Sequence, residues 1–188
     1  MELYFLRHAI AVERGTPEYE DDSQRPLTPN GRKKMKRVVK GMKALGLSFD
    51  WIYSSPYLRA KATAELVSET FKLGRKLKFS EHLAADGNPK LFIEQMARTH
   101  GSTERLLVVG HEPYLSALAG ILIGGVGLGL QLKKGGLGKL TTDKLKFGHC
   151  AELKWWLTPR LLARLADASI PRPRKVPRKT RKETNHEE

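Results

Sequence analysis

A single cysteine, Cys150, rules out an intramolecular disulfide and a thiolate metal site in this chain of 188 residues. Its expected use is as a small core or strand residue rather than a nucleophile. No stretch approaches the roughly 18 uninterrupted apolar residues of a membrane span, and Met1-Glu2-Leu3 has no basic start or cleavage site of an export signal. The expected location is therefore the cytoplasm, with no membrane partner. No two histidines stand four positions apart, so neither a metal nor another cofactor is expected. No internal repeat is present. Acidic residues are scarce beside basic ones, 20 against 34 Lys and Arg, which leaves a formal net charge of +14. Such a balance attracts anionic partners in general and specifies none of them.

Part of that charge is local. Pro171 to Lys182 mixes prolines with arginines and lysines, a composition that cannot bury a core, so residues 167–188 are expected to form a basic disordered tail. The tail is a candidate contact for nucleic acid or an acidic protein, and equally a solubilising appendage. Further basic clusters fall at 32–43, 72–78 and 133–146. The remaining 1–166 is long enough for one full core. Nothing in the composition sets an oligomeric state.

The chain is organised around Leu3-Tyr4-Phe5-Leu6-Arg7-His8-Ala9. Four apolar or aromatic residues in a row, without a helical period, predict a strand covered on both faces. In open α/β sheets ligands bind beyond the carboxyl ends of strands, which is where Arg7 and His8 fall. Taken alone, the pair could simply begin a solvated loop. A second site like it argues otherwise: Leu106-Leu107-Val108-Val109-Gly110-His111 again ends an apolar run in a histidine.

Between and beyond these runs, strand and helix signals alternate. Thr28 and Pro29 start a helix as cap and first residue, predicted over 29–44 and closed by Gly46. A strand at 50–54, a helix at 58–71, a weak strand at 76–79 and a helix at 89–98 follow. The strand at 106–110 leads into an apolar helix over 113–123. Seven glycines between Gly124 and Gly138 predict a mobile or hairpin-forming loop. Strands at 139–141 and 150–157 are expected as an antiparallel pair at a sheet edge, before a short helix at 160–166. In the last strand Trp155-Trp156 is expected to give one core and one surface aromatic. The pattern is that of a three-layer α/β/α domain, a mostly parallel central sheet with helices on both faces.

Arg7, His8, Arg59 and His111 would thus share one rim of the sheet. Two guanidiniums offer the paired donors that match phosphate oxygens. A neutral imidazole can attack phosphorus near pH 7, and a second histidine can steady the transferring group. Arg25 is expected as an exposed loop residue, with anion contact as its alternative. Glu112 either orients His111 or faces solvent.

Leu-Arg-His-Ala at 6–9, Ser-Ser-Pro-Tyr-Leu-Arg-Ala-Lys-Ala-Thr-Ala-Glu at 54–65 and Val-Gly-His-Glu-Pro at 109–113 resemble the three signature segments of the histidine phosphatase superfamily, which includes the phosphoglycerate mutases. The short length, Arg-Pro-Leu-Thr at 25–28 and Ala-Glu-Leu at 151–153 are most similar to the SixA-type phosphohistidine phosphatases of its branch 1, over residues 1–166. The resemblance implies a phosphoglycerate mutase-like fold, with His8 as the nucleophile that becomes phosphorylated. It also implies that Arg7 and Arg59 hold the phosphoryl oxygens and that His111 completes the pocket. The partner it implies is a phosphohistidine-containing protein.

Two departures stand out: alanine follows His8 where glycine is usual, and Leu83-Ala84-Ala85 carries no carboxylate where the mutases place a general acid. The nearest acid is Asp86. An alkoxide leaves badly without a proton, whereas imidazole has a conjugate acid titrating near neutrality, so the missing acid favours phosphohistidine over phosphate esters. Two other readings stay open: a phosphatase of a small phosphomonoester, and a noncatalytic basic module that holds nucleic acid or an acidic protein.

Overall fold

In the computed structural model, residues 1–101, 104–125 and 128–168 are described. Six strands form one sheet in the order β3-β2-β4-β1-β5-β6: β1 (Glu2–Arg7), β2 (Trp51–Ser54), β3 (Leu77–Phe79), β4 (Arg105–Gly110), β5 (Leu137–Thr141) and β6 (Glu152–Leu157). The first four are parallel, and β5 and β6 run antiparallel at one end. The helices are α1 (Pro29–Ala44), α2 (Leu58–Phe71), α3 (Pro89–Thr99), α4 (Tyr114–Ile123) and α5 (Pro159–Asp167).

Side chains alternate across the strands and so divide the core in two. Leu3, Phe5, Tyr53, Leu106 and Val108 face α3 and α4. Tyr4, Leu6, Ile52, Leu107 and Val109 face α1, α2 and α5. This double burial explains why β1 and β4 read as unbroken apolar runs. Cap chemistry sets the helix starts: the side chains of Thr28, Asn88 and Thr158 accept from the third residue on, ahead of Pro29, Pro89 and Pro159. Helices α1 and α5 cross so closely that a Cβ on Gly41 would lie 1.8 Å from the Leu162 carbonyl oxygen.

The chain leaving β1 turns to the α1 face, while the chain leaving its neighbour β4 turns to the α4 face. Adjacent strands whose exits diverge leave a crevice between them, at the carboxyl edge. One expected boundary shifts into the preceding loop. β5 begins at Leu137, inside the glycine-rich stretch, because Leu137 and Gly138 pair with both β1 and β6. Gly138 is required there, since a Cβ would fall 2.1 Å from the Trp156 ring. Trp155 and Trp156 are both partly buried, packing on opposite cores, so neither is a purely surface residue. The expected tail lies outside the described residues from 169 on, as does its proposed contact with nucleic acid. Among the described residues no helix is long and apolar enough to cross a membrane.

Candidate active site

The crevice between β1 and β4 receives His8 and His111 directly. The His8 amide donates to the Gly110 carbonyl (3.0 Å) and the Ser55 amide to that of Val109 (3.0 Å), which carries the sheet one residue past each strand end. The two imidazole centroids are 5.1 Å apart. Arg59, on the first turn of α2, and Arg7, at the end of β1, add their charges to the same place: both act on both histidines. His8, Arg59 and His111 are buried, at 6%, 2% and 2% exposure. All four predicted residues therefore meet at one site.

The partners of the two histidines fit opposite tautomers. His8 Nδ1 lies 2.7 Å from the Ala9 carbonyl oxygen, which can only accept. Nδ1 thus carries the proton and Nε2 carries a lone pair. His111 Nε2 lies 2.8 Å from Ser55 Oγ, which also accepts from the Tyr57 amide (3.2 Å). With that amide filling one acceptor position, the hydroxyl keeps one acceptor and one donor, and an anion beside Arg7 and Arg59 selects the tautomer in which it donates to His111 Nε2. Nδ1–H is left as a donor, buried and without a partner. Replacing Ser55 with alanine frees His111 to adopt the other tautomer and is expected to lower kcat about tenfold, the scale of one buried hydrogen bond. Threonine at 55 restores the rate; an unchanged kcat in Ser55→Ala would refute the assignment.

Two more buried donors lack partners, Arg7 Nε and Arg59 Nε. Other nitrogens of these arginines are anchored. Arg7 Nη1 donates to the Leu132 carbonyl oxygen (2.8 Å), and Leu132 is tied down in turn by its amide, which donates to Glu112 Oε1 (2.7 Å). Arg59 Nη1 and Nη2 donate to the carbonyl oxygen (2.5 Å) and Oδ2 (2.8 Å) of Asp22. Buried polar groups normally find partners, so three orphaned donors at one pocket mark where an anion belongs.

Two sequence expectations need correcting. Arg25 is buried rather than exposed: it donates to the Val12 carbonyl oxygen (2.6 Å) and pairs with Asp22 (2.7 Å). Its charges are spent on the loop that carries Asp22. Glu112 neither orients His111 nor faces solvent. It accepts from Ser116 Oγ (2.7 Å) and the Leu132 amide, and so supports Arg7 from behind. Asp86 is exposed and touches the site only through the Tyr57 hydroxyl, which donates to it over 3.4 Å; the Tyr57 ring sits 5.1 Å from that of His111.

Asp22, Ser55 and Thr63 were not singled out by sequence reasoning. Thr63 Oγ1 accepts from the Ala9 amide (3.0 Å) and donates to the Arg59 carbonyl (2.7 Å), joining β1's exit to α2. A threonine one turn after Arg59 was the available signal. His82, His100 and His149 lie elsewhere, and among the described residues no cluster of His, Cys, Asp or Glu could hold a metal.

Burial, then His111 and the charges of Arg59 and Arg7, hold His8 well below the ordinary histidine value, against the pull of the Ala9 carbonyl. Burial and then Arg59 push His111 down to about 3, with Asp22 opposing. Both imidazoles are neutral at pH 7, the form in which one can attack and the other can donate a hydrogen bond. In the unfolded chain they take up protons as the pH falls through ~6.5, while the folded site resists. Stability is therefore full above that value and is lost as the pH falls from about 7 towards 3. The unfolding free energy from urea titration is expected to drop between pH 7.5 and pH 5, His111 contributing on the order of 2 kcal/mol and His8 adding in the same direction. A free energy level across that interval would contradict it.

Comparison with known proteins bears on the family and the fold. Residues 3–84 match the family model of the histidine phosphatase superfamily (branch 1). An uncharacterised protein of Picosynechococcus sp. is 39% identical over 139 residues, 73% of this chain and 82% of that one. The phosphohistidine phosphatase SixA of Escherichia coli is 27% identical over 126 residues, 66% of this chain and 76% of its own. Among solved structures, the protein histidine phosphatase SixA complexed with tungstate superposes with a TM-score of 0.75 at 23% identity, covering 86% of this chain and 99% of that one. A putative α-ribazole-5'-P phosphatase from E. coli gives 0.66 at 18% identity, over 85% and 98%.

Proposed function

The chain belongs to branch 1 of the histidine phosphatase superfamily and is a phosphatase, and on that premise we propose that it removes phosphate from phosphorylated histidine on a partner protein. The carrying observation is that Arg7 Nε, Arg59 Nε and His111 Nδ1, from the residues gathered around His8, are buried and without partners, beside a histidine whose Nε2 is unprotonated. His8 Nε2 attacks phosphorus, the bond from phosphorus to the substrate imidazole breaks, and the phosphoryl group passes to His8. The three donors take the negative charge on its oxygens as the bonds exchange. Water then attacks the phosphorylated His8, releasing phosphate and restoring the imidazole.

The choice of substrate is supported by what stands beside this pocket. Residues 83–85 bring no carboxylate, and Leu83 and Ala84 are buried apolar residues. An imidazole leaving group tolerates that lack far better than an alkoxide does. SixA of E. coli, described as a phosphohistidine phosphatase, points to the same substrate. A second reading, a phosphatase of a small phosphomonoester, is favoured by Asp86 on the Tyr57 hydroxyl and by the likeness to the α-ribazole-5'-P phosphatase.

The test compares phosphate release from a phosphohistidine-bearing protein and from glycerol 2-phosphate, an alkyl ester whose leaving group needs a proton, with acid-labile phosphate trapped on the enzyme in each case. We expect kcat/KM at least about 100-fold higher on the protein, the low end of what general acid catalysis supplies to esters. We also expect Asp86→Asn to leave that rate unchanged. Equal rates on both substrates, with the ester rate lost in Asp86→Asn, would establish the second reading instead.

A further inference from the structure

On the α1 side of the sheet, behind the exit of β1, lies a cleft of about 490 Å³ that takes no part in the chemistry above. Its floor is apolar: Ala9, Met35 and Val38 are almost fully buried. Lys34 from α1, Lys134 from the turn before β5, and Arg160 and Arg164 from α5 stand around its mouth, all exposed. None of these four has a carboxylate within salt-bridge distance among the described residues; a fifth cation, Arg37, is paired with Asp167. Among the described residues no acidic side chain lines the cleft.

Four cations converging without a counter-charge are costly to hold together and favour an anion. The apolar floor and the volume, within the ~300–1,000 Å³ usual for small-molecule pockets, are too large for a lone inorganic anion. A concave hollow between two helices suits a compact molecule better than the face of a protein. We propose that this cleft is a second binding site, separate from the phosphoryl pocket, for a nucleotide-sized organic anion whose ring lies on Met35 and Val38 and whose phosphates meet Lys34, Lys134, Arg160 and Arg164.

The cleft shares a wall with the active site. Ala9 and Ile10 line it, and Gly135, on the same wall, donates its amide to the carbonyls of Arg7 (3.1 Å) and His8 (3.2 Å). A side chain cannot replace Gly135 cheaply, because its φ is +79°. A ligand seated there presses on the backbone that carries the nucleophile.

The test is a fluorescence titration of the full chain with a methylanthraniloyl derivative of ATP in 150 mM salt. We expect one saturable site, weakened at least tenfold in Lys34→Glu/Arg164→Glu. Ala163→Trp, which fills the cleft without changing its charge, is expected to do the same. Lys36→Glu/Lys40→Glu, an equal charge change on α1 outside the cleft, should stay within twofold, and His8→Ala and saturating tungstate should leave binding intact. Circular dichroism melts confirm that the variants fold. The proposal is overturned by the absence of saturable binding, by cleft variants that bind like wild type, or by loss of binding in His8→Ala. Displacement by a poly-glutamate peptide at lower concentration than by ATP would also overturn it, in favour of an acidic polypeptide.

Discussion

His8→Ala is expected to release no measurable phosphate from either a phosphohistidine protein or para-nitrophenyl phosphate, a fall of about 10⁴-fold or more in kcat, as removal of a covalent nucleophile entails. Acid-labile phosphate should no longer be trapped on the enzyme. The fold should survive, because the imidazole makes one hydrogen bond, to the adjacent Ala9 carbonyl, and its pocket is closed by backbone contacts that alanine keeps. Binding of tungstate or phosphate is expected to persist, since Arg7, Arg59 and His111 remain. Loss of turnover with retained anion binding separates the attacking group from the holding groups. Retention of full activity would remove His8 from the mechanism.

Arg59→Ala is expected to cost kcat/KM about 10³-fold, the upper range for removing one preorganised donor from a developing oxyanion. Arg59→Lys should recover little of it. An ammonium can replace the contact with Asp22 or reach the phosphoryl oxygens, but it lacks the fork that performs both tasks at once. Asp22→Asn isolates the anchoring half. Burial alone would raise the Asp22 carboxyl, but hydrogen bonds from Arg14 and Arg25 and the charge of Arg59 hold it far below its ordinary range. The asparagine variant retains the guanidinium but lets it wander, so a milder loss of about tenfold in kcat/KM is expected. If Arg59→Ala and Asp22→Asn lost the same amount, Arg59 would act only through its position in the loop network. Steady-state kinetics on the phosphohistidine protein decides between these outcomes.

Much of this arrangement could be read before any coordinates. Leu3–Leu6 and Leu106–Val109 announce themselves because strands buried on both faces have no polar side to interrupt the run. Thr28-Pro29 marks a helix start by local chemistry that needs no distant partner. What escaped detection depends on contacts across the chain. Asp22 sits in a stretch of Glu, Asp and Arg that reads as solvated, and only the approach of Arg59, 37 positions away, turns it into an anchor. Arg25 was misjudged for the same reason: its carboxylate partner is three residues off, but its burial comes from the loop folding onto α2. Ser55 and Thr63 carry hydroxyls whose roles lie in which proton goes where, and no spacing encodes that. Glu112 accepts from an amide 20 residues ahead, across a glycine-rich stretch whose path has no periodic signal.

The position of β1 also bears on the order in which the molecule can assemble. The strand leading to His8 is made well before its hydrogen-bonding neighbours on either side, residues 105–110 and 137–141. On a ribosome adding roughly 5–20 residues per second, an apolar segment with no local partner must wait several seconds for its sheet. Contacts of such long sequence separation also slow folding once the chain is free. The phosphate pocket is thus among the last features to form, and a nascent chain that stalls before β5 has both histidines but only one side of the strand that positions the first.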